Sequence, residues 1–342
     1  MSLWTEHLAR TGATVDGSTL SFANAADEAA AASIDTVVVP LLQLGTLGIE
    51  GADAATFLHN LVSNDVTGLA ADAVAWNSFN SPKGRMIASF LLWRTGDGLE
   101  LATSAELVPA FARKLSMYVL RSKAKVSDRS AETVLIGVGG ARAGDILAGA
   151  GIAVPAADMQ QQAGADEVRC LRLDSQNFML VLPAAAAPDV FDAISAAGAR
   201  KAGPAAWQLR MIRAGLPMIE SATQEEFVAQ MLNFDLIGGV SFRKGCYPGQ
   251  EIVARTQYLG KLKKRMYRLA LPPDSAALPG ADLYSPEFGE QSAGKLVNVA
   301  PTADGGYEAL AVLQSSAIES PLHVGAIDGP AVYVLDLPYA LP

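Results

Sequence analysis

Cysteine and histidine are scarce in this sequence, and their scarcity excludes several kinds of site. The 342 residues include two cysteines, Cys170 and Cys246, and three histidines, His7, His59 and His323. Two thiols so far apart predict neither a disulfide framework nor a metal site, and they favour a reduced, cytoplasmic protein. A cysteine hydrolase would also need a histidine base, and none of the three histidines lies in a recognisable context. Cys170 alternates with apolar neighbours, so we expect an inert, packed thiol there.

Positive charge and long apolar runs are scarce as well. The formal net charge is -9, which opposes general attraction to nucleic acid or to an anionic membrane. The alanine-rich runs at 25–32 and 184–187 are far shorter than the ~20 apolar residues that a spanning helix needs. Residues 1–10 carry Glu6, His7 and Arg10 instead of a basic end followed by an apolar block, so no secretory signal is predicted there. We therefore expect no nucleic-acid partner and no membrane segment.

Apolar residues, in contrast, make up half of the chain, and a chain of 342 residues is longer than one compact core usually accommodates. We therefore expect two or three packed units. Helix and strand patterns alternate up to residue 262, and short strands bounded by glycine or proline follow, around 281–285, 294–300, 306–313 and 331–337. Short strands with no helix between them favour a small antiparallel barrel or sandwich.

Two predicted strands and the turn between them form a hairpin with a cationic tip. The strands cover residues 76–80 and 86–93, and the turn at 81–85 has the sequence SPKGR. Residues 37–47 are predicted to form one buried strand before this hairpin. Asp53 is predicted to cap the helix that follows that strand.

A further helix is predicted to start at Pro204 and to carry Trp207 and Met211 on one face. This spacing is typical of core residues, although a tryptophan on a first helical turn can also present its flat face to a planar ligand. Ser221 and Gln224, further along, have the spacing of a capping box.

The most unusual stretch is 243–251, with the sequence RKGCYPGQE. A helix is predicted over 249–259, so it begins within this stretch. Cys246 precedes the start of this helix and follows two cations, and both the helix dipole and the cations favour a thiolate. A redox or transfer thiol is therefore one interpretation. The other is structural: Gly245 and Gly249 shape a turn in which Cys246 merely packs.

Residues 244–251 match the K-G-C-Y-x-G-Q-E signature of the YgfZ family, the folate-binding relatives of the glycine-cleavage T-protein that act in iron–sulfur protein assembly or repair. Residues 51–53, 64–66 and 83–86 also resemble patterns of that family. The resemblance implies an α+β fold, a T-protein-like three-lobed ring of two interleaved α+β units plus a C-terminal antiparallel β-barrel. It places folate in the central opening.

The implied domains are a folate-binding α+β region over 1–262 and a barrel over 263–342. Within the first region, the two interleaved units are expected to comprise 1–130 with 204–262, and 131–203. The implied function is that of a folate-binding protein that assists the assembly or repair of iron–sulfur proteins. Tetrahydrofolate or a derivative is the expected cofactor, and iron–sulfur client or assembly proteins are the expected partners.

The resemblance assigns the functional thiol to Cys246, and it implies that four neighbours shape the site of that thiol: Lys244, Tyr247, Gln250 and Glu251. The candidate folate contacts are Trp207, Asn80, Arg255 and Arg213. A basic run suits the glutamyl tail of folate, or else it protects an edge strand from aggregation. The run comprises Arg255, Lys261, Lys263, Lys264, Arg265 and Arg268.

The sequence departs from the family pattern at three places. T-protein enzymes have an aspartate in the returning strand of the hairpin, whereas residues 86–89 here read MIAS, so aminomethyl transfer lacks its acid–base residue. Arg213 stands where related chains often carry a glutamate, and a cation cannot accept the hydrogen bonds of a pterin ring. Leu44 stands where some relatives have tryptophan. A folate-dependent one-carbon transferase (an aminomethyltransferase or a demethylase) and a non-catalytic scaffold therefore remain alternatives.

Overall fold

The computed structural model describes residues 2–16, 19–96, 98–258, 260 and 262–342. Leu259, the predicted last residue of the helix after the signature, and Lys261 of the basic run lie outside the described residues. The α-helices are, in chain order, α1 Leu3–Arg10, α2 Ala25–Ile34, α3 Ala54–His59, α4 Val108–Ser116, α5 Ala143–Gly149, α6 Ala187–Ala196, α7 Pro204–Arg213 and α8 Gln250–Tyr258.

The strands come in two groups, of which the second forms the C-terminal part of the chain. The strands of the first group are β1 Thr14–Asp16, β2 Thr19–Ser21, β3 Val37–Pro40, β4 Leu44–Glu50, β5 Val74–Asn80, β6 Met86–Thr95, β7 Gly98–Ser104, β8 Lys125–Asp128, β9 Thr133–Gly139, β10 Gln160–Ala163, β11 Arg169–Arg172, β12 Asn177–Pro183 and β13 Arg200–Lys201. Those of the second group are β14 Lys264–Leu271, β15 Asp282–Tyr284, β16 Gly294–Pro301, β17 Tyr307–Gln314, β18 Leu322–Val324 and β19 Ala331–Leu335.

These strands build two larger sheets and a barrel. The first sheet has the antiparallel order β5-β6-β7-β4-β8, and the second sheet has the order β10-β11-β12-β9-β3-β13. Strands β14 to β19 close a barrel whose pairs are all antiparallel. The predicted α+β fold with a C-terminal barrel is therefore confirmed. The domain boundary at 262/263 stays a prediction; the first barrel strand starts at Lys264.

Residues 37–47 do not form one strand, so that prediction is wrong. Strand β3 lies between β9 and β13 in the second sheet, whereas β4 pairs with β7 and β8 in the first sheet. A turn separates the two strands, in which the Leu44 amide donates to the Leu41 carbonyl (3.1 Å). Both strands are buried and apolar, so their patterns run together in the sequence. Strand β3 thus joins the sheet of the 131–203 unit, although its residues precede 130.

Two predicted helix caps are also wrong, while the hairpin is confirmed. The Asp53 carboxylate makes no cap bond and instead accepts from the Lys123 amide (2.7 Å). The capping box near residue 221 is formed by Glu220 and Thr223, not by Ser221 and Gln224. Strands β5 and β6 form the predicted hairpin around the turn at 81–85.

Helix α7 connects the three parts of the fold. It packs against α2 and β3 and also against β16 and β17 of the barrel. Its buried residues, among them Trp207, Leu209 and Ile212, belong to the largest apolar cluster, which also contains the buried residues of the first sheet. No helix in the described ranges is long and apolar enough to cross a membrane.

Candidate functional site

A cavity of about 420 Å³ lies where the two sheets, α7 and the barrel meet. Most of its wall is apolar. The first sheet contributes Leu44 and Trp76, the second sheet Met179, and the barrel Val299. Helix α7 and the segment after it contribute Ala205, Trp207, Gln208, Met211, Leu216 and Met218. A volume of this size with apolar and aromatic walls is typical of a small-molecule site.

Trp207 lines this cavity but does not offer an open stacking face. Its side chain is buried, with 2% of the residue exposed, and its ring lies against the backbone of Gly137. A Cβ atom on Gly137 would lie 2.4 Å from the ring, so one face of the indole is covered. That face of the Trp207 ring therefore packs in the core, as the helical spacing predicted. Trp76, which the sequence did not single out, is the second tryptophan in the cavity wall.

The polar side chains in the wall include Gln43, Glu106 and Glu220. Neither polar atom of the Gln43 side chain is accessible or bonded to another described residue. One oxygen of Glu220, Oε1, accepts a hydrogen bond from Asn298 Nδ2 at 2.8 Å. Burial raises the pKa of Glu220 to about 7, the Asn298 hydrogen bond lowers it, and the charge of Glu106 raises it further. The sequence reasoning missed all three residues, although the carboxylate of Glu220 directly follows the apolar stretch 214–219.

The other candidate folate contacts do not line the cavity. Arg213 bonds Glu308 of β17, with Nη2 to Oε1 at 2.7 Å, and Ser33, also at 2.7 Å, so it ties α7 to the barrel. Asn80 is 1% exposed, and neither polar atom of its side chain is bonded to another described residue. Arg255 is exposed on α8 and makes no ion pair within the described ranges. The four predicted contacts are thus not brought together.

Two members of the basic run are committed to ion pairs and are not free for a folate tail. Arg265 bonds Asp235 through two parallel contacts of 2.7 and 2.9 Å, and both side chains are almost completely buried. Arg268 lies 3.7 Å from Glu308. Charge protection of an edge is also not their role, because β14 pairs on both sides within the closed barrel.

Lys244 of the signature anchors its loop to the end of α3. Its Nζ donates to the carbonyls of Val62 (2.6 Å), Asn64 (3.2 Å) and His59. Three acceptors satisfy all the protons of an ammonium group, so Lys244 positions the loop. Burial lowers the pKa of Lys244 to about 8, partly offset by the charge of Asp65. The same Nζ lies 5.0 Å from the ring centre of buried Tyr247, whose pKa burial raises to about 12.

Two glycines bring the signature loop into backbone contact with the hairpin turn. Gly249 has φ +78°, and a Cβ atom there would lie 2.5 Å from the Ser81 carbonyl oxygen and 2.6 Å from the Gly84 Cα. Gly84 has φ +72°, and a Cβ atom there would lie 2.8 Å from the Cβ of Ile252. Helix α8 therefore starts directly on the hairpin turn, as only glycine at both positions permits.

Cys246 lies on this anchored loop and is exposed. Gln250 begins α8, and its neighbour Glu251 is exposed; neither side chain bonds another residue of the described ranges. Cys170 is buried, as predicted, and burial raises its pKa to about 12. Among the described residues, no group of three histidine, cysteine, aspartate or glutamate side chains could hold a metal ion. An exposed thiol before a helix suits reaction with an approaching partner.

Comparison with known proteins agrees with this fold. Residues 13–227 match the family described as the GCVT N-terminal domain. The tRNA-modifying protein YgfZ of Yersinia pseudotuberculosis (strain IP 31758) is 29% identical over 316 residues, which cover 91% of this chain and 95% of the relative. The protein of the same name from Yersinia enterocolitica is 29% identical over 297 residues, 86% of this chain and 89% of the relative.

A solved structure shows the same fold at low sequence identity. The aminomethyltransferase T of the glycine cleavage system from Bartonella henselae superposes with a TM-score of 0.76 at 16% identity, and the match covers 98% of this chain and 96% of that one. With the family match over residues 13–227 and the YgfZ relatives over most of the length, the predicted resemblance is confirmed, and the chain belongs to the T-protein-like GCVT N-terminal domain family.

Proposed function

We propose that this protein binds tetrahydrofolate or a derivative in the 420 Å³ cavity. We further propose that it assists the assembly or repair of iron–sulfur proteins in the cytoplasm through Cys246. The observation that carries the ligand assignment is the cavity itself. It has two tryptophans and the carboxylate of Glu220 in its wall.

The residues present fit a folate. Its pterin ring is planar and carries several hydrogen-bonding groups, and it needs apolar walls with a few polar groups placed among them. Trp76, Trp207 and the methionines supply the walls, and Glu106, Gln208 and Glu220 supply polar groups. When bound, a reduced folate carries one-carbon units. The role of the chain's own residues is to bind the ring and to exclude water from it.

The name of the Yersinia relatives, tRNA-modifying protein YgfZ, connects them with tRNA modification. The net charge of -9 opposes direct binding of tRNA by this chain. Both points fit one proposal, in which the clients include iron–sulfur enzymes that act on tRNA. The exposed thiol of Cys246 would then meet the client protein, and the client would meet the tRNA.

Calorimetric titration of the purified chain with 5-formyl-tetrahydrofolate should give saturable heat with one site per chain. Ala205→Trp should abolish this heat, because Ala205 lines the cavity and the indole would fill it. Ala163→Trp is the matched control, since Ala163 lines a separate, polar cleft of about 610 Å³ between the two sheets. Equal binding by both variants would show that the folate binds elsewhere, and no heat from the unmodified chain would refute the ligand assignment.

Cys246→Ser should fail to restore iron–sulfur enzyme activities in cells that lack the corresponding protein. The reason is that serine keeps the size of the residue but removes the thiolate chemistry. Cys170→Ala is the control and should restore activity, because Cys170 is buried away from the signature. Full restoration by the Cys246 variant would remove the thiol from the mechanism, whatever the outcome of the folate titration.

A one-carbon transferase is the second candidate function, and Glu220 is the observation that favours it. A pKa of about 7 suits a general acid or base at neutral pH, and Glu220 lines the cavity. Turnover distinguishes this candidate from the first: the purified chain would form methylene-tetrahydrofolate from tetrahydrofolate and an aminomethyl donor, with release of ammonia.

A further inference from the structure

The polar cleft of about 610 Å³ between the two sheets is a second concave site, and no described residue lines both it and the central cavity. Strands β4 and β7 contribute to both. Leu44 and Ser104 line the cavity, whereas Glu50 and Glu100, near the other ends of the same two strands, line the cleft. A ligand can therefore occupy the cleft independently of the cavity.

Glu100 is a half-buried carboxylate of the cleft wall that forms no ion pair within the described ranges. The Thr133 hydroxyl donates to its Oε1 at a long 3.4 Å. Burial raises the pKa of Glu100, and the Thr133 hydrogen bond and the charges of Arg129 and Arg169 offset part of that rise. A carboxylate that has lost water without gaining a cationic partner favours a ligand that supplies the cation.

Arg169 is the complementary group on the same wall. It is half-buried on β11, and its Nη1 donates to Gln161 Oε1 at 2.7 Å, but no carboxylate of the described residues pairs with it. Burial lowers the pKa of Arg169 and the charge of Glu100 raises it, although the two side chains form no ion pair. A guanidinium group has several donors, so the bond to Gln161 leaves others free for the carboxylate of a ligand.

The remaining charges of the cleft are unequal in sign. Arg129 is committed to its own partners, since it bonds Glu132 at 2.9 Å and also bonds Glu50. Glu167 is exposed and forms no ion pair among the described residues. Four carboxylates and two guanidinium groups line the cleft in all, so its surroundings favour a ligand with a second positive charge.

We propose that this cleft binds a free amino acid with a basic side chain. The α-ammonium group of the amino acid pairs with Glu100 and its carboxylate pairs with Arg169. The side-chain cation lies among the exposed carboxylates of the cleft, Glu132 and Glu167. The site is new to this fold region and does not depend on the proposed function.

Two other cationic ligands fit the cleft less well. A polyamine would satisfy Glu100, but it would place a positive charge near Arg169 and leave that guanidinium group without a carboxylate. A divalent cation needs several ligand side chains close together, and no group of three histidine, cysteine, aspartate or glutamate side chains within the described ranges could hold one. A zwitterion with an additional cation satisfies both unpaired groups at once.

Calorimetric titration of the full chain with L-lysine should give saturable heat with one site per chain. Cadaverine, which is lysine without its carboxylate, should bind roughly tenfold more weakly, because it leaves Arg169 unpaired. Norleucine, which lacks the side-chain ammonium group, should bind up to about fivefold more weakly, because it loses only contacts with exposed carboxylates.

Variants of the two unpaired groups test their assigned roles. Arg169→Gln should bind lysine roughly tenfold more weakly and bind cadaverine no more weakly than the unmodified chain, because only lysine has a carboxylate to lose. A general structural defect would instead weaken both ligands. Glu100→Gln should weaken both, since both present an ammonium group to it. Glu225→Gln, an exposed carboxylate outside the cleft, is the matched control and should change neither.

Ala163→Trp tests the location. Ala163 is exposed and lines the cleft, so an indole there should fill the opening and abolish lysine binding while the urea midpoint stays unchanged. No saturable heat with lysine from the unmodified chain would overturn the inference. Lysine binding that is unchanged in Ala163→Trp, or an equal loss of lysine and cadaverine affinity in Arg169→Gln, would overturn it as well. None of these outcomes bears on folate binding in the central cavity.

Discussion

Gly249→Ala is expected to lower the free energy of unfolding by about 2–4 kcal/mol, because the substitution adds backbone strain to a steric clash. The residue has φ +78°, which alanine adopts only at a cost. The added methyl group would also lie 2.5 Å from the Ser81 carbonyl oxygen and 2.6 Å from the Gly84 Cα. Both are backbone atoms, so a side-chain rotation cannot relieve the clash. Urea unfolding monitored by circular dichroism measures the loss.

The same substitution should separate the signature loop from the hairpin turn and abolish restoration of iron–sulfur enzyme activities in cells. Gly245→Ala is the control within the same loop: Gly245 is exposed, and a Cβ atom there would meet no atom of another described residue within 4 Å. We expect that control to change the free energy of unfolding by less than about 0.5 kcal/mol. Equal stability of the two variants would show that the close approach of Gly249 to the turn does not constrain the loop.

Asp235→Ala should destabilise the protein by about 3–5 kcal/mol, because it leaves Arg265 as a buried cation without its partner. The side chains of Arg265 and Asp235 are 11% and 7% exposed. Arg265 also donates to the Gln230 carbonyl at 3.0 Å, so the ion pair fixes the start of the barrel against the segment before the signature. The loss is measured as a lower urea midpoint at pH 7.

An exposed ion pair provides the control for this substitution. Asp35 pairs with Arg200, and their side chains are 42% and 49% exposed, so Asp35→Ala should cost less than about 1 kcal/mol. The double variant Asp235→Leu with Arg265→Met should recover most of the stability, because apolar residues remove the buried charge together with its partner. A loss for Asp235→Ala as small as that for Asp35→Ala would contradict the assignment of a buried ion pair.

Local sequence patterns predicted the elements whose signals lie within one segment. The hairpin follows from two strand patterns around a turn with proline and glycine, and α7 follows from apolar spacing after Pro204. The division of residues 37–47 between strands β3 and β4 was missed because both strands are buried and apolar. The sequence pattern therefore does not mark where the chain passes from one sheet to the other. Asp53 was misassigned because its partner, the Lys123 amide, lies on a distant segment.

The candidate site was only partly predictable for the same reason. The signature identified Cys246 and its neighbours, because they are consecutive. The cavity wall, in contrast, combines side chains such as Gln43, Trp76 and Glu220, which the sheets and α7 bring together. Gln43 becomes notable only when both of its polar atoms are seen to be buried without a partner among the described residues. No local pattern carries that information.

The contact between Gly84 and Gly249 has a consequence for synthesis of the chain on the ribosome. The hairpin turn emerges early, whereas the loop that carries Cys246 emerges only after the whole second sheet has been made. Domains generally fold as units during translation, so the turn has no contact with the Gly249 loop while the intervening strands assemble. A nascent or prematurely terminated chain that ends before residue 249 therefore has the turn but lacks the loop that packs on it. Cys246 therefore reaches its position beside the hairpin turn only in chains whose α+β region has been completed.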